Sequence, residues 1–242
     1  MSAKMGYLRR ILPLGLVLVS AALLTCHGSF AADQQQLDWF REAKFGMFIH
    51  WGPYSVASVE ASWPIMVPNT KIWGGITESE YVALPSRFNP VQFDPIALVR
   101  LAKATGQRYM VFTTKHHDGF CMFDSSYTSY KITNTPYKKD IVAQLADACK
   151  RENMPLGFYY SPPDMHHPDY RDTSKLVKDS WHGDPTRPEW PTYLNYMELQ
   201  LRELLTVQRL PPAHAQKRRT HCRVEDYPRE QILQVGDEEG AG

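Results

Sequence analysis

Tyr109-Met110-Val111-Phe112-Thr113-Thr114-Lys115-His116-His117-Asp118-Gly119-Phe120 sets an apolar run directly against a polar cluster. The run from Tyr109 to Thr114 reads as a buried strand. Two adjacent histidines and an aspartate then arrive where strand gives way to loop. In barrels of parallel strands and helices, ligands bind at the C-terminal strand ends. Polar groups at such a place cost free energy unless they are paired or used. The same residues also suit a pair of satisfied structural histidines.

Outward from this stretch the pattern repeats. Phe45-Gly46-Met47-Phe48-Ile49-His50-Trp51-Gly52 reads as an earlier strand that ends in polar and aromatic groups. Asp94-Pro95 marks a helix start, with a capping carboxylate and proline at the first helical position. Ile96, Val99 and Ala102 share a face of that helix, and Gly106 is a plausible stop. Asp140 caps a second helix, whose face holds Ile141, Leu145 and Ala148. Leu156 to Ser161 reads as a third strand, and Thr192 to Thr206 as a Leu-rich helix. Strand, helix, strand, helix, strand, helix specifies an α/β fold with a parallel sheet covered by helices. A doubly wound sheet is the rival, but it ordinarily carries a Gly-rich phosphate turn after its first strand, and none is present.

The chain has 242 residues, of which 43% are hydrophobic and 22% charged, an ordinary globular balance. A net charge of +1 without a long basic block argues against nucleic acid or an anionic membrane surface as partner. Lys4, Arg9 and Arg10 precede an apolar run from Ile11 to Leu24, and Ser29-Phe30-Ala31 supplies small residues for cleavage. This predicts a signal peptide over 1–31 and a secreted or periplasmic protein, with no membrane association after cleavage. A run of about 14 apolar residues is too short to span a bilayer. A lipid anchor at Cys26 is the alternative. Cys121, Cys149 and Cys222 have unrelated spacings and no Cys-x-x-Cys pair, so neither a zinc site nor a disulfide framework is expected. Residues 207–242 carry Pro211-Pro212, the basic cluster Lys217-Arg218-Arg219 and a Gly/Glu-rich end, the composition of a disordered tail.

The ordered strand-end clusters carry more than any one alone. His50-Trp51-Gly52-Pro53-Tyr54, Lys115-His116-His117-Asp118-Gly119-Phe120 and Tyr159-Tyr160-Ser161-Pro162 follow three successive strands. Phe88-Asn89-Pro90, Thr135-Pro136-Tyr137 and Asp140-Ile141-Val142 lie between them. From about Trp39 to Thr206 this set resembles the alpha-L-fucosidases of glycoside hydrolase family 29. The resemblance implies the N-terminal portion of a (β/α)8 barrel, incomplete here, occupying 32–206. It also implies retaining cleavage of terminal alpha-linked L-fucose from a fucosylated glycan, without cofactor or metal. By position His50, His116, His117 and Tyr159 match the family's sugar-binding residues. Neutral imidazole suits that role because it offers one donor and one acceptor. Trp63 is the candidate stacking ring, although Ser62 stands where glutamate is common in the family. Asp164, His166, His167 and Asp169 lie beyond the third strand and are candidates for the same mouth.

The family's nucleophile lies on a fourth strand, in a Trp-Phe-Asp-Gly-like motif. No such motif follows Thr206, and Asp226 and Asp237 sit in polar segments without a preceding strand. No catalytic residue is therefore assigned. The expectation is a frameshifted or truncated, inactive glycosidase; the alternative is a non-catalytic fucose-binding or interaction fragment.

Overall fold

The computed structural model describes residues 38–67, 74–172, 174–175 and 182–207. The expected signal peptide and nearly all of the expected tail lie outside these residues. Residues 38–43 form a short helix, α1, in a unit that ends at Lys44. The second unit begins at Phe45 and holds the remaining described elements.

Its frame is a parallel three-stranded sheet in the order β1-β2-β3, formed by Gly46–Ile49, Tyr109–Lys115 and Leu156–Tyr160. Gly46 pairs with Tyr109, and Thr113 with Tyr159. A Cβ on Gly46 would come within 2.3 Å of the Tyr109 ring, so the ring can lie over β1 here only because residue 46 has no side chain. Two helices complete the first strand–helix units. α4 (Pro95–Ala104) starts where Asp94 accepts from the Ala97 N–H, and α5 (Ile141–Arg151) where Asp140 accepts from the Ala143 N–H. Both caps fall where the sequence placed them.

The core lies between these helices and one sheet face. Val99 and Ala102 of α4, Met110 and Phe112 of β2, and Ile141, Leu145 and Ala148 of α5 are all buried in it. α6 (Trp190–Val207) begins two residues before the expected Thr192 and adds Leu204 to the same core. Its Gln200 accepts from the Tyr160 hydroxyl at 2.7 Å. Tyr193 and Tyr196 of α6 join a second cluster with Tyr54, Ile65, Tyr81 and Met165. These come from the loop after β1, from the short helices α2 (Trp63–Met66) and α3 (Glu78–Ala83), and from the loop after β3. That second cluster supports the carboxyl ends of the strands.

One irregularity decides where side chains point. Between Thr113 and Lys115 the β2–β3 register slips by one residue, so Lys115 rather than Thr114 faces Tyr160. Such a bulge re-aims the side chains beyond it. Lys115 lands on the helix side, with Nζ 4.6 Å from the centre of the Tyr160 ring.

Candidate active site

Four rings meet on the other side of the sheet. His50 follows β1, His116 and His117 follow β2, and Tyr159 belongs to β3. Ring centres of His50 and His116 are 5.3 Å apart, and those of His50 and Tyr159 are 5.5 Å apart, both pairs edge-on. His116 lies 4.4 Å from His117 and 6.1 Å from Tyr159. Phe48 closes the group from β1, 4.6 Å from His50, and is 55% exposed. Strand alternation puts Tyr159 here while Phe158 and Tyr160 face the core.

Each histidine is held through Nδ1 by a hydroxyl. Thr113 Oγ1 meets His50 at 2.7 Å, Ser62 Oγ meets His116 at 2.5 Å, and Ser161 Oγ meets His117. Burial first, then the neighbouring imidazoles and Lys115, lower His116 to about 3. Burial, then Lys115 and His50, lower His117 to about 4. Both rings are therefore neutral at pH 7 and offer hydrogen bonds rather than charge.

Ser62 is the junction of the site. It is fully buried in the left-handed region, at φ 62°. That conformation is costly for a residue with a side chain and persists only where its surroundings over-determine it. Here they do: its N–H donates to the Tyr81 hydroxyl at 2.8 Å, and its Oγ accepts from the Asp118 N–H at 2.9 Å. Tyr81 in turn donates to Asp118 Oδ2 at 2.8 Å, and the Phe120 N–H donates to Oδ1. Burial pushes the Asp118 carboxyl up to about 6. Burial, then the Asp118 charge, raises the Tyr81 phenol well above its usual value. A small cleft opens here, lined by Trp51, Tyr54, Thr113, His116, Asp118 and Phe120. Trp63, next to Ser62, opens α2 and is 39% exposed.

The acidic candidates after β3 take other places. Asp164 is 1% exposed and does not line the mouth. Its Oδ2 takes the Lys115 ammonium at 2.9 Å, and its Oδ1 accepts from the backbone N–H groups of His166 and His167. A buried carboxylate needs such partners, which is why the chain turns it inward. His166 stacks on Tyr130 at 4.1 Å and 7°, and His167 packs on Tyr196 at 4.3 Å. Among the described residues, no group of three or more His, Cys, Asp and Glu side chains is arranged to hold a metal ion.

Sequence reasoning singled out the four rings but missed Thr113, Tyr81 and Ser161, and saw in Ser62 only a departure from the family. Each acts on a residue 37 to 63 positions away, so no local pattern announces it. The Thr77-x-x-Glu80 spacing does foretell the capping box that starts α3. It does not reveal that the next residue, Tyr81, reaches the site.

Strand-end rings oriented by hydroxyls, above a buried polar network, define an α/β protein with a candidate ligand site at the carboxyl ends of its parallel strands. The family model described as Alpha-L-fucosidase matches residues 27–209, well over half of the chain, and the chain belongs to that family. Alpha-L-fucosidase 1 of Arabidopsis thaliana is 35% identical over 144 residues, covering 58% of this chain and 25% of the plant protein. Among solved structures, alpha-L-fucosidase isoenzyme 1 from Paenibacillus thiaminolyticus is 41% identical with a TM-score of 0.61, covering 72% of this chain and 40% of that one. A family 29 alpha-L-fucosidase of Bacteroides thetaiotaomicron, trapped as a covalent intermediate with 2-fluoro-fucosyl fluoride, is 35% identical with a TM-score of 0.54, covering 72% and 38%. The chain thus spans less than half the length of these three relatives.

Proposed function

We propose that this chain is the N-terminal part of a (β/α)8 alpha-L-fucosidase barrel, and that it carries the recognition half of a retaining fucoside site. The convergence of His50, His116, His117 and Tyr159 on one face carries this reading. The neutral imidazoles of His116 and His117 offer the donors and acceptors that sugar hydroxyls need. Trp63 adds an exposed ring against which the apolar face of a sugar can stack. The substrate class is a terminal alpha-L-fucoside on a glycan. The charged and apolar pattern of residues 1–31 supports a secreted or periplasmic location.

Recognition is separable from turnover here. Retaining glycosidases use two carboxyl groups about 5–5.5 Å apart on either side of the scissile bond. The carboxylates that flank the histidines among the described residues are Asp118 and Asp164, and both are engaged in internal bonds. Neither is free to attack or protonate a bound fucoside, which supports a chain that binds fucose rather than hydrolysing fucosides. Two measurements on the purified chain test this. Titration with L-fucose is expected to raise its melting temperature, and incubation with 4-nitrophenyl alpha-L-fucoside to release no 4-nitrophenol. A folded chain indifferent to L-fucose overturns the recognition reading, and release of 4-nitrophenol overturns the absence of turnover.

A further inference from the structure

We infer that Ser62 and Ser161 hold His116 and His117 in opposite tautomers, so that the pair offers a ligand one N–H donor and one lone-pair acceptor side by side. The assignment follows from proton accounting. A serine hydroxyl has one proton to give. Ser161 Oγ lies 3.0 Å from the Pro163 carbonyl oxygen, which can only accept, so the Ser161 proton goes there. Without it, two lone pairs would face each other at that distance. His117 Nδ1 must then be the donor in its bond to Ser161, and its Nε2 carries the lone pair.

Ser62 is the reverse case. Its Oγ already accepts the Asp118 N–H. Its proton has one acceptor within reach among the described residues, His116 Nδ1 at 2.5 Å. Ser62 is 0% exposed, so a hydroxyl proton turned elsewhere would be lost from hydrogen bonding. That costs more than a net bond is worth. His116 Nδ1 therefore accepts, and its Nε2 bears the proton. Neither Nε2 has a partner among the described residues, and neither is sealed from solvent. Both are left to the ligand.

The consequence for recognition rests on the fucoside reading. A sugar hydroxyl against His117 has to donate, and one against His116 has to accept. A methyl ether keeps the acceptor and removes the donor. Methylating the hydroxyl that faces His117 therefore removes a bond, and methylating the one that faces His116 does not. Ser62 and Ser161 are positioning residues in this scheme, since they act through the imidazoles.

The test is two-bond proton–nitrogen correlation NMR of the full chain at pH 7, with nitrogen-15 histidine and the two signals assigned through His116→Gln and His117→Gln. His116 is expected to show the Nε2–H pattern and His117 the Nδ1–H pattern. In Ser161→Ala, His117 is expected to become a tautomer mixture and L-fucose binding to weaken roughly five- to tenfold. Ser161→Thr, which keeps the hydroxyl, is expected to restore both. The same tautomer at both histidines in the unaltered chain overturns the inference, whether or not fucose binds. Opposite tautomers in a chain that ignores fucose uphold the inference and sink only the fucoside reading.

Discussion

Replacing Lys115 by methionine isolates the buried ion pair between Lys115 and Asp164. The Lys115 and Asp164 side chains are 0% and 2% exposed, and their charged atoms are 2.9 Å apart. Removing one member of such a pair strands the other, at a typical cost of about 3–5 kcal/mol. Asp164 keeps its two bonds from the His166 and His167 N–H groups, which puts the expected loss at the lower end. A cost of about 3 kcal/mol is a large share of the ~5–15 kcal/mol that holds an ordinary domain folded. With a urea slope of about 1–3 kcal/mol per molar, Lys115→Met lowers the unfolding midpoint by about 1–3 M, read from tryptophan fluorescence. Adding Asp164→Leu removes the stranded carboxylate and recovers most of that loss, because apolar replacement of a buried pair is often neutral. A loss below about 1 kcal/mol for Lys115→Met, or a double variant no more stable than the single one, refutes the assignment of a stranded charge.

Three further outcomes follow from the same geometry. Gly46→Ala drives a methyl group into the Tyr109 ring; at about 2 kcal/mol of overpacking the melting temperature falls by about 4–8 °C, and Tyr109→Ala in the same chain relieves it. Tyr81→Phe removes the acceptor of the Ser62 N–H and the donor to Asp118, costing about 2 kcal/mol in urea unfolding and shifting the Asp118 carboxyl still higher in an NMR titration. His116 titrates near 3 when folded, against an ordinary value of 6.5; between those limits the unfolded chain binds the extra proton, so this group's stabilisation is present above 6.5 and lost as pH falls. Asp118, raised by burial to about 6 from 3.8, has the opposite sign between those values. His116→Gln therefore leaves the Asp118 slope in place and lowers the slope of stability against pH near pH 5 by about 1.4 kcal/mol per unit, measured by urea unfolding across pH 4.5–6.

What the sequence made legible was whatever repeats locally. The caps at Asp94 and Asp140 need only a carboxylate and an N–H three residues on. The strand-end rings follow from strand positions plus the motifs around them. The rest depended on partners brought together by the fold. Ser62 looked like a missing glutamate, whereas its function is to receive one backbone N–H and give one proton across 54 to 56 residues. Asp164 looked like a rim residue because it follows a strand, and a loop's composition does not reveal which carboxylate will meet a buried ammonium. Lys115 looked like part of the polar cluster, because a strict alternation of strand faces does not anticipate a bulge.

The residues around the bulge are held more tightly than the turn that leads into β2. A Cβ at Gly106 would meet nothing within 4 Å. At position 114 the situation is reversed. Deleting Thr114 would leave Lys115 opposite Tyr160 but remove the hydroxyl that donates to the Tyr159 carbonyl oxygen at 2.9 Å.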